Sequence, residues 1–209
     1  MRPQRNTRIG LAAVLVLLLA GCSVLPEPRP PVAYDHYTLA VAPAGQAAAV
    51  ERVPLTLLLP PPRIRAELAG TRMAYRQAPG RLEFFARSRW ADAPQRLLHD
   101  LLLERFTREG PYAYVVREAT PASADHRLEI EVLEFVQDFT VTPSRFRVRL
   151  RWQLLDLGNR RVRLQELIEA EVPAPADSPQ GGAAAAGTAV NELFERIHRR
   201  LSRELRSDA

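Results

Sequence analysis

The single cysteine of the chain, Cys22, is the residue best suited to covalent chemistry. A disulfide or a thiolate metal site needs further cysteines, and the chain has none. The thiol directly follows Leu19, Ala20 and Gly21. Two interpretations are open: the thiol is acylated, or it is a free thiol left at the end of an ordinary secretory signal peptide.

The residues before Cys22 have the layout of a signal peptide. A basic start is followed by an apolar run from Ile9 to Ala20, and this run is shorter than the roughly 20 residues that a membrane-spanning helix needs. The segment Leu19 to Cys22 resembles a bacterial lipobox, in which the cysteine receives diacylglycerol, the signal is removed before it, and the new amine is acylated. We therefore expect residues 1–21 to be a lipoprotein signal peptide and Cys22 to carry a covalent acyl lipid.

Residues 22–33 contain the cysteine and a proline-rich stretch, which predicts a semi-extended tether. Acyl chains contribute roughly 0.8 kcal/mol per buried CH₂ and so form a stable anchor. Lipoproteins that resemble this one are retained in the inner membrane mainly when Asp follows the cysteine. Here Ser23 follows it, which favours the outer membrane and its lipids. We expect residues 34–206 to form one domain that faces the periplasm.

Net charge does not indicate a nucleic-acid partner. The formal charge of +5 includes the arginines of the predicted signal, which contains no acidic residue. Because the mature chain is less basic than the whole sequence, and because nucleic-acid binding needs a concentrated basic face, we discount that function.

Arginine alternates with apolar residues from Arg145 to Trp152, which predicts a strand with one wet and one buried face. The arginines of this row are Arg145, Arg147, Arg149 and Arg151. A row of guanidinium groups is suited to binding a protein partner or the phosphates of anionic lipids. Alternatively, acidic residues of flanking strands neutralise the row as a ladder, at roughly 0.2–1 kcal/mol for each opposite pair. The acidic residues that would do so are Glu129, Glu131, Glu169 and Glu171.

The region around this row predicts three adjacent antiparallel strands between residues 127 and 172. A hairpin turn at residues 156–160 places Arg147 opposite Glu169 and Arg145 opposite Glu171. The alternation breaks phase at residues 133–135, which predicts a β-bulge there.

Two helices and a further hairpin complete the predicted fold. Ala78-Pro79-Gly80 separates two short strand-like segments and predicts a turn. Leucines and Phe106 at helical spacing predict a helix over residues 92–108, with Asp92 as its N-cap. A second apolar stripe predicts a closing helix from Ala183 onward. The fold class is therefore α+β: a single domain with a mostly antiparallel sheet packed against two main helices.

Neither the histidines nor the sequence motifs indicate an enzyme. His36, His99, His126 and His198 are far apart in the sequence, with no second ligand at metal spacing. The chain lacks the common hydrolase, phosphate-loop and dinucleotide-binding motifs. We expect no enzymatic activity, no metal, and no cofactor besides the acyl lipid.

Several stretches together resemble the ABC-type transport auxiliary lipoprotein family, the group that includes paraquat-inducible protein C. They are the lipobox, Tyr37 to Leu39, the strand ending at Leu59-Pro60, and above all the segment from Thr71 to Leu98. Within that segment the residues that look like the family signature are Arg72, Tyr75, Arg76, Arg89, Trp90 and Pro94. The chain departs from the family in the prolines after Leu59 and in the Ala-rich loop 42–49, neither of which touches the signature.

This resemblance implies a non-enzymatic auxiliary component of an intermembrane lipid transport system. Its expected partners are a mammalian-cell-entry-domain substrate-binding protein, a permease and an ATPase. The signature residues either pack the hairpin against the first helix or present it to a partner, and we expect Trp90 to be a packing residue. Two alternatives stay open, a periplasmic lipid-binding carrier and a pilotin-like envelope assembly factor. A homo-oligomer is a further open alternative for the partner.

Overall fold

The three longest strands lie side by side in the sheet, where the alternating pattern is strongest. The computed structural model describes residues 33–39, 52–117 and 124–207. Strand β7 (His126–Asp138) pairs antiparallel with β8 (Arg145–Asp156), which pairs antiparallel with β9 (Arg161–Pro173). The apolar residues of these strands, such as Leu128, Val148 and Leu154, are fully buried on one face.

The predicted register between β8 and β9 is wrong by two residues. Arg147 lies opposite Glu171 rather than Glu169, and Arg145 lies opposite Pro173 rather than Glu171. The pairing shifts between Leu154 and Leu155, where β9 contains one extra residue beside the turn. Because the difference is even, the arginines stay on the same face of the sheet as the acidic residues.

A second irregularity lies on β7 at the expected place. The pairing with β8 shifts between Val132 and Glu134, which confirms the predicted bulge. The bulge changes which carboxylates lie beside the arginine row, because Glu134 becomes the neighbour of Arg149.

The other edge of β7 is paired by three short parallel strands that follow one another along it. These are β2 (Val53–Leu58), β3 (Arg63–Ile64) and β4 (Arg72–Ala78). Two further strands extend the sheet beyond β4, namely β5 (Arg81–Trp90) and β1 (Asp35–Tyr37), while β6 (Tyr112–Val116) extends it beyond β2. The described residues thus contribute nine strands to the sheet. The sheet is therefore mixed: its long pairings are antiparallel and its short ones are mostly parallel.

The predicted hairpin is present as β4 and β5, with Gly80 in the turn at φ 74°. A positive φ of this kind favours glycine. A short 3₁₀ turn, Ala66–Leu68, precedes the hairpin. The loop 42–49 lies outside the described residues.

Helix α1 (Pro94–Glu109) begins two residues after the predicted start. Asp92 is not the N-cap, contrary to the prediction, because Ala93 holds that position. The Asp92 carboxylate instead accepts a hydrogen bond from the Ala93 amide at 2.7 Å and pairs with Arg96. Pro94 occupies the first turn, where a missing N–H costs nothing. The helix ends at Gly110, whose amide donates to the Phe106 carbonyl at 2.9 Å.

Helix α2 (Pro179–Ser207) starts earlier than Ala183 and covers the apolar face of β8 and β9. Its predicted stripe is buried, and comprises Val190, Leu193, Phe194, Ile197, Leu201 and Leu205. The Phe106 and Phe194 rings, 4.9 Å apart, join the two helices. The described residues thus form the expected α+β domain, and none of the helices among them combines the length and apolar character that a membrane span requires.

Candidate interaction surface

The predicted lipid attachment site, Cys22, lies outside the described residues. The acyl lipid and the tether of residues 22–33 therefore remain predictions. The other candidate residues lie in the hairpin β4–β5 and in strand β8.

The signature residues at the end of the hairpin are packing residues. Trp90 is only 1% exposed, and its ring lies 5.2 Å from that of Phe135 and 6.1 Å from that of Phe146. Pro94 is also buried. These two residues join β5 and the start of α1 to the core rather than presenting a contact to a partner.

Other signature residues lie at the surface of the hairpin. The half-buried Tyr75 ring contacts the Phe85 and Phe139 rings, with centroids 4.5 and 5.9 Å away. The guanidinium of Arg72 lies 3.8 Å from the centre of the Phe84 ring. At this distance the cation is attracted to the face of the ring. Arg89 likewise lies 4.4 Å from the Tyr34 ring. The hairpin therefore exposes a mixed aromatic and arginine surface.

Asp138, at the end of β7, ties this surface to the sheet, although the sequence reading did not select it. Arg76 donates to its carboxylate at 2.5 Å, and the amide and hydroxyl of Thr140 donate at 2.9 and 2.6 Å. Burial alone would raise the pKa of Asp138, but these hydrogen bonds outweigh burial and hold the pKa well below its usual value. The sequence signal that could have identified Asp138 is an acidic residue at a position that continues the solvent-exposed face of an alternating strand.

The arginine row on β8 is largely neutralised by neighbouring carboxylates. Arg147 pairs with Glu171 at 2.6 Å, Arg149 with Glu134 at 2.7 Å and Arg151 with Glu131 at 3.0 Å. Arg145 is exposed and forms no ion pair with any described residue. This geometry resembles the ladder more than a free anion-binding row.

The acidic residues expected to form this ladder divide between several partners. Glu131 and Glu171 lie where the ladder requires them, whereas Glu129 pairs with Arg63 and Arg127 at 3.1 and 2.9 Å. The backbone carbonyl of Glu169 accepts a hydrogen bond from Arg196 of α2 at 2.7 Å. The bulge on β7 explains part of this change of partners, because it brings Glu134 rather than a predicted ladder residue beside Arg149.

A buried charge network between the helices was also missed by the sequence reading. Arg105 is 4% exposed, and it donates to Glu109 at 2.7 Å, to Glu195 at 2.8 Å and to Asn191. Its guanidinium also lies 4.1 Å from the centre of the Phe194 ring. An arginine that is followed four residues later by Glu on a helix usually predicts an exposed ion pair. The sequence therefore held no signal that Arg105 is buried.

The space between sheet and helices is filled with side chains. Trp152, Phe194 and Ile197 are each at most 1% exposed. A shallow depression of about 190 Å³ lies beside the hairpin, lined by residues such as Leu68, Leu82 and Arg81. That volume is below the roughly 300 Å³ at which ligand pockets begin. A larger cleft of about 590 Å³ lies at the β8–β9 turn, but it is open to solvent and lined by polar residues such as Asp156, Asn159 and Arg161. Neither depression is an enclosed apolar interior for acyl chains.

The buried histidines have structural partners. His99 Nε2 lies 3.1 Å from the Leu59 carbonyl oxygen, and His126 Nδ1 lies 3.0 Å from the Tyr112 hydroxyl. Burial raises the pKa of that tyrosine. Among residues 33–39, 52–117 and 124–207, no group of His, Cys, Asp and Glu side chains is arranged to hold a metal ion.

A family model described as the ABC-type transport auxiliary lipoprotein component matches residues 37–198. The structure is similar to that of a protein from Xanthomonas campestris, at 22% identity over 84% of this chain and 99% of that chain, with a TM-score of 0.72. An uncharacterized protein of known structure matches at 15% identity, over 81% of this chain and 99% of the other, with a TM-score of 0.64. No curated protein matches the sequence.

Both structural likenesses support the fold alone, because their sequence identities are low. The family match is different in kind, since it runs from β1 into the second half of α2 and includes the whole hairpin signature. The chain therefore belongs to the ABC-type transport auxiliary lipoprotein family.

Proposed function

We propose that this protein is an outer-membrane-anchored, non-enzymatic docking component of an intermembrane lipid transport system. The family match over residues 37–198 carries this proposal. The partners would be a mammalian-cell-entry-domain substrate-binding protein together with its permease and ATPase. The lipid on Cys22 would hold the domain at the outer membrane, facing the periplasm.

The need for such a component follows from the cost of moving lipids through water. Exposing two acyl chains costs on the order of tens of kcal/mol, at about 0.8 kcal/mol per CH₂. A conduit that starts at the inner membrane therefore requires a docking point at the outer one. A tether over residues 23–33 reaches about 34 Å at roughly 3.1 Å per residue, which holds the partner at high effective concentration.

The filled core favours docking over the carrier alternative. A carrier needs an apolar cavity for acyl chains, whereas the large side chains between sheet and helices are fully buried against one another. The hairpin, with half-buried Tyr75 and Phe85 and exposed Arg72, supplies aromatic and arginine groups, which are enriched at protein interfaces.

The anchor is tested by intact-mass spectrometry of membrane-purified protein together with fractionation of the two membranes. We expect an acylated chain that begins at Cys22 and lies in the outer membrane. Cys22→Ser should lose the lipid and leave the membrane fraction. Ser23→Asp is the matched control, because it keeps the lipid and should move the protein to the inner membrane. An unacylated wild-type protein would refute the anchor.

The docking role is tested by co-purification from detergent-solubilised envelopes. We expect the full chain to retain a mammalian-cell-entry-domain protein and to carry no stoichiometric phospholipid beyond its own acyl chains. Bound phospholipid without such a partner would instead support the carrier, and retention of a secretin would support the assembly factor.

A further inference from the structure

Among the described strands, β9 forms a long free edge of the sheet. Its 13 residues pair with β8 on one side, and no other described strand pairs with it. The Ala174 amide donates to the Ser144 carbonyl at 2.7 Å, in register with the β8–β9 ladder. Since inward and outward backbone groups alternate along an antiparallel strand, the odd-numbered residues from Gln165 to Glu171 direct their N–H and C=O groups away from β8.

The contact of Arg196 agrees with this assignment. Its guanidinium donates to the carbonyl of Glu169 at 2.7 Å, as expected for a carbonyl on the free side. The middle of the same edge exposes Leu167, at 59% of its surface. Apart from the Glu169 carbonyl, which Arg196 occupies, the outward backbone groups of β9 pair with no described strand. They lie beside an exposed apolar side chain, and such an edge is a template for another strand.

Helix α2 carries a stripe of arginines on its solvent face. The stripe consists of Arg196, Arg199, Arg203 and Arg206, and all four are exposed. Their spacing of three, four and three residues places them on one face of the helix. None of them forms an ion pair with a described residue.

The acidic residues of α2 do little to neutralise this arginine stripe. Glu195 is bound to Arg105, and Glu204 is bound to Arg163 and Arg200. Glu192 is exposed near the Arg196 end. The contrast with β8 is clear, since Arg147, Arg149 and Arg151 of that row have carboxylate partners.

The dimensions of the two features match an extended peptide. The arginine stripe runs about 15 Å along the helix at 1.5 Å per residue. In a strand, side chains on one face recur about every 6.8 Å, so three acidic residues at alternate positions would span it. A membrane surface offers phosphates to the arginines but no backbone partners for the β9 edge.

We propose that the β9 edge and the arginine stripe together bind an extended acidic segment of a protein partner, which adds a strand to the sheet. This deepens the proposed function and rests on it, because the partner is taken to be a component of the transport system. Backbone hydrogen bonds supply the affinity, and the arginines select acidic side chains.

The test measures binding of a fluorescent peptide of alternating Glu and Val to the full chain in detergent micelles. Leu167→Pro removes an outward amide that β8 does not use, so the strand should remain folded. We expect it to raise the Kd about ten-fold or more, as for the loss of one or two hydrogen bonds. Leu167→Ala is the matched control, because it keeps the amide, and its Kd should change less than about three-fold.

The charge contribution is tested by Arg199→Glu, which should also raise the Kd about ten-fold at low salt, with a smaller effect at high salt. Arg87→Glu makes the same charge change at an exposed position of β5 and should leave the Kd nearly unchanged. Circular dichroism and urea midpoints confirm that each variant is folded.

Three results would overturn the proposal. They are equal binding of a peptide of alternating Lys and Val, an unchanged Kd in folded Leu167→Pro, or binding of phosphatidylglycerol vesicles without binding of the acidic peptide. If variants of the β9 edge or the arginine stripe still co-purify with the transport partner, the docking site alone is refuted. Peptide binding without any such partner would refute the proposed function alone.

Discussion

Replacement of Arg105 by Ala should destabilise the protein strongly. Arg105 lies between the helices with its side chain 5% exposed, and it pairs with the carboxylate of Glu109, which is 10% exposed. Its removal leaves that carboxylate buried without its main partner. It also removes the cation that lies over the Phe194 ring.

The magnitude follows from which contacts are shielded from water. Breaking a buried ion pair costs about 3–5 kcal/mol. The contact with Glu195 adds little, because that side chain is 43% exposed and screened by solvent. Glu109 also keeps Arg108 at 3.3 Å, so we expect the lower end, about 3 kcal/mol. That corresponds to a fall in Tm of roughly 6–12 °C.

Equilibrium unfolding in urea measures this change, with the full chain in detergent. The control is Arg108→Ala on the same helix, which loses an exposed pair with Glu104 and should cost less than about 1 kcal/mol. A double variant, Arg105→Leu with Glu109→Leu, should recover much of the loss, because no buried charge is then left alone. A loss below about 1 kcal/mol for Arg105→Ala, or strict additivity of Arg105→Ala and Glu109→Ala, would refute the reasoning.

The remaining predictions concern a carboxylate, a glycine and a tryptophan. The pKa of Asp138 is depressed in the folded protein, so its carboxylate stabilises the fold near neutral pH and loses this effect in acid. Asp138→Asn should therefore be less stable than wild type in urea near pH 7, and the difference in stability should shrink below about pH 4. Gly181→Ala would place a Cβ 2.1 Å from the Ala176 carbonyl oxygen, so it should lower the Tm, whereas this substitution usually stabilises a helix; a raised Tm would contradict the geometry. Trp90→Ala should cost about 3–5 kcal/mol by urea unfolding, since the ring fills the core, and a cost near zero would mean that the ring is not packed.

Much of the fold could be predicted because strand and helix periods leave separate marks in the sequence. The alternation between Arg145 and Trp152 identified β8 and its buried face, and the phase break near Leu133 located the bulge. The apolar stripe of α2 identified its packing face. These patterns are local consequences of which side chains must leave water.

The register and the parallel pairings could not be predicted in the same way. The turn and the extra residue beside it each moved β9 by one position, and the alternating pattern is unchanged by the resulting even shift of two. The pairing of β2, β3 and β4 along one edge of β7 joins segments far apart in the chain. Short strands with little pattern do not specify which edge they join.

The sequence by itself determined the fold class, the buried faces of the long elements and, through the hairpin signature, the family. It also determined the expectation of a lipid anchor at Cys22, which depends only on neighbouring residues. Tertiary structure alone decided which arginines have partners: Arg105 is buried, Arg149 is neutralised by Glu134, and Arg199 has no carboxylate among the described residues. The physical reason is that the effect of a charge depends on its burial and on carboxylates within a few ångströms, and folding brings these from distant parts of the chain.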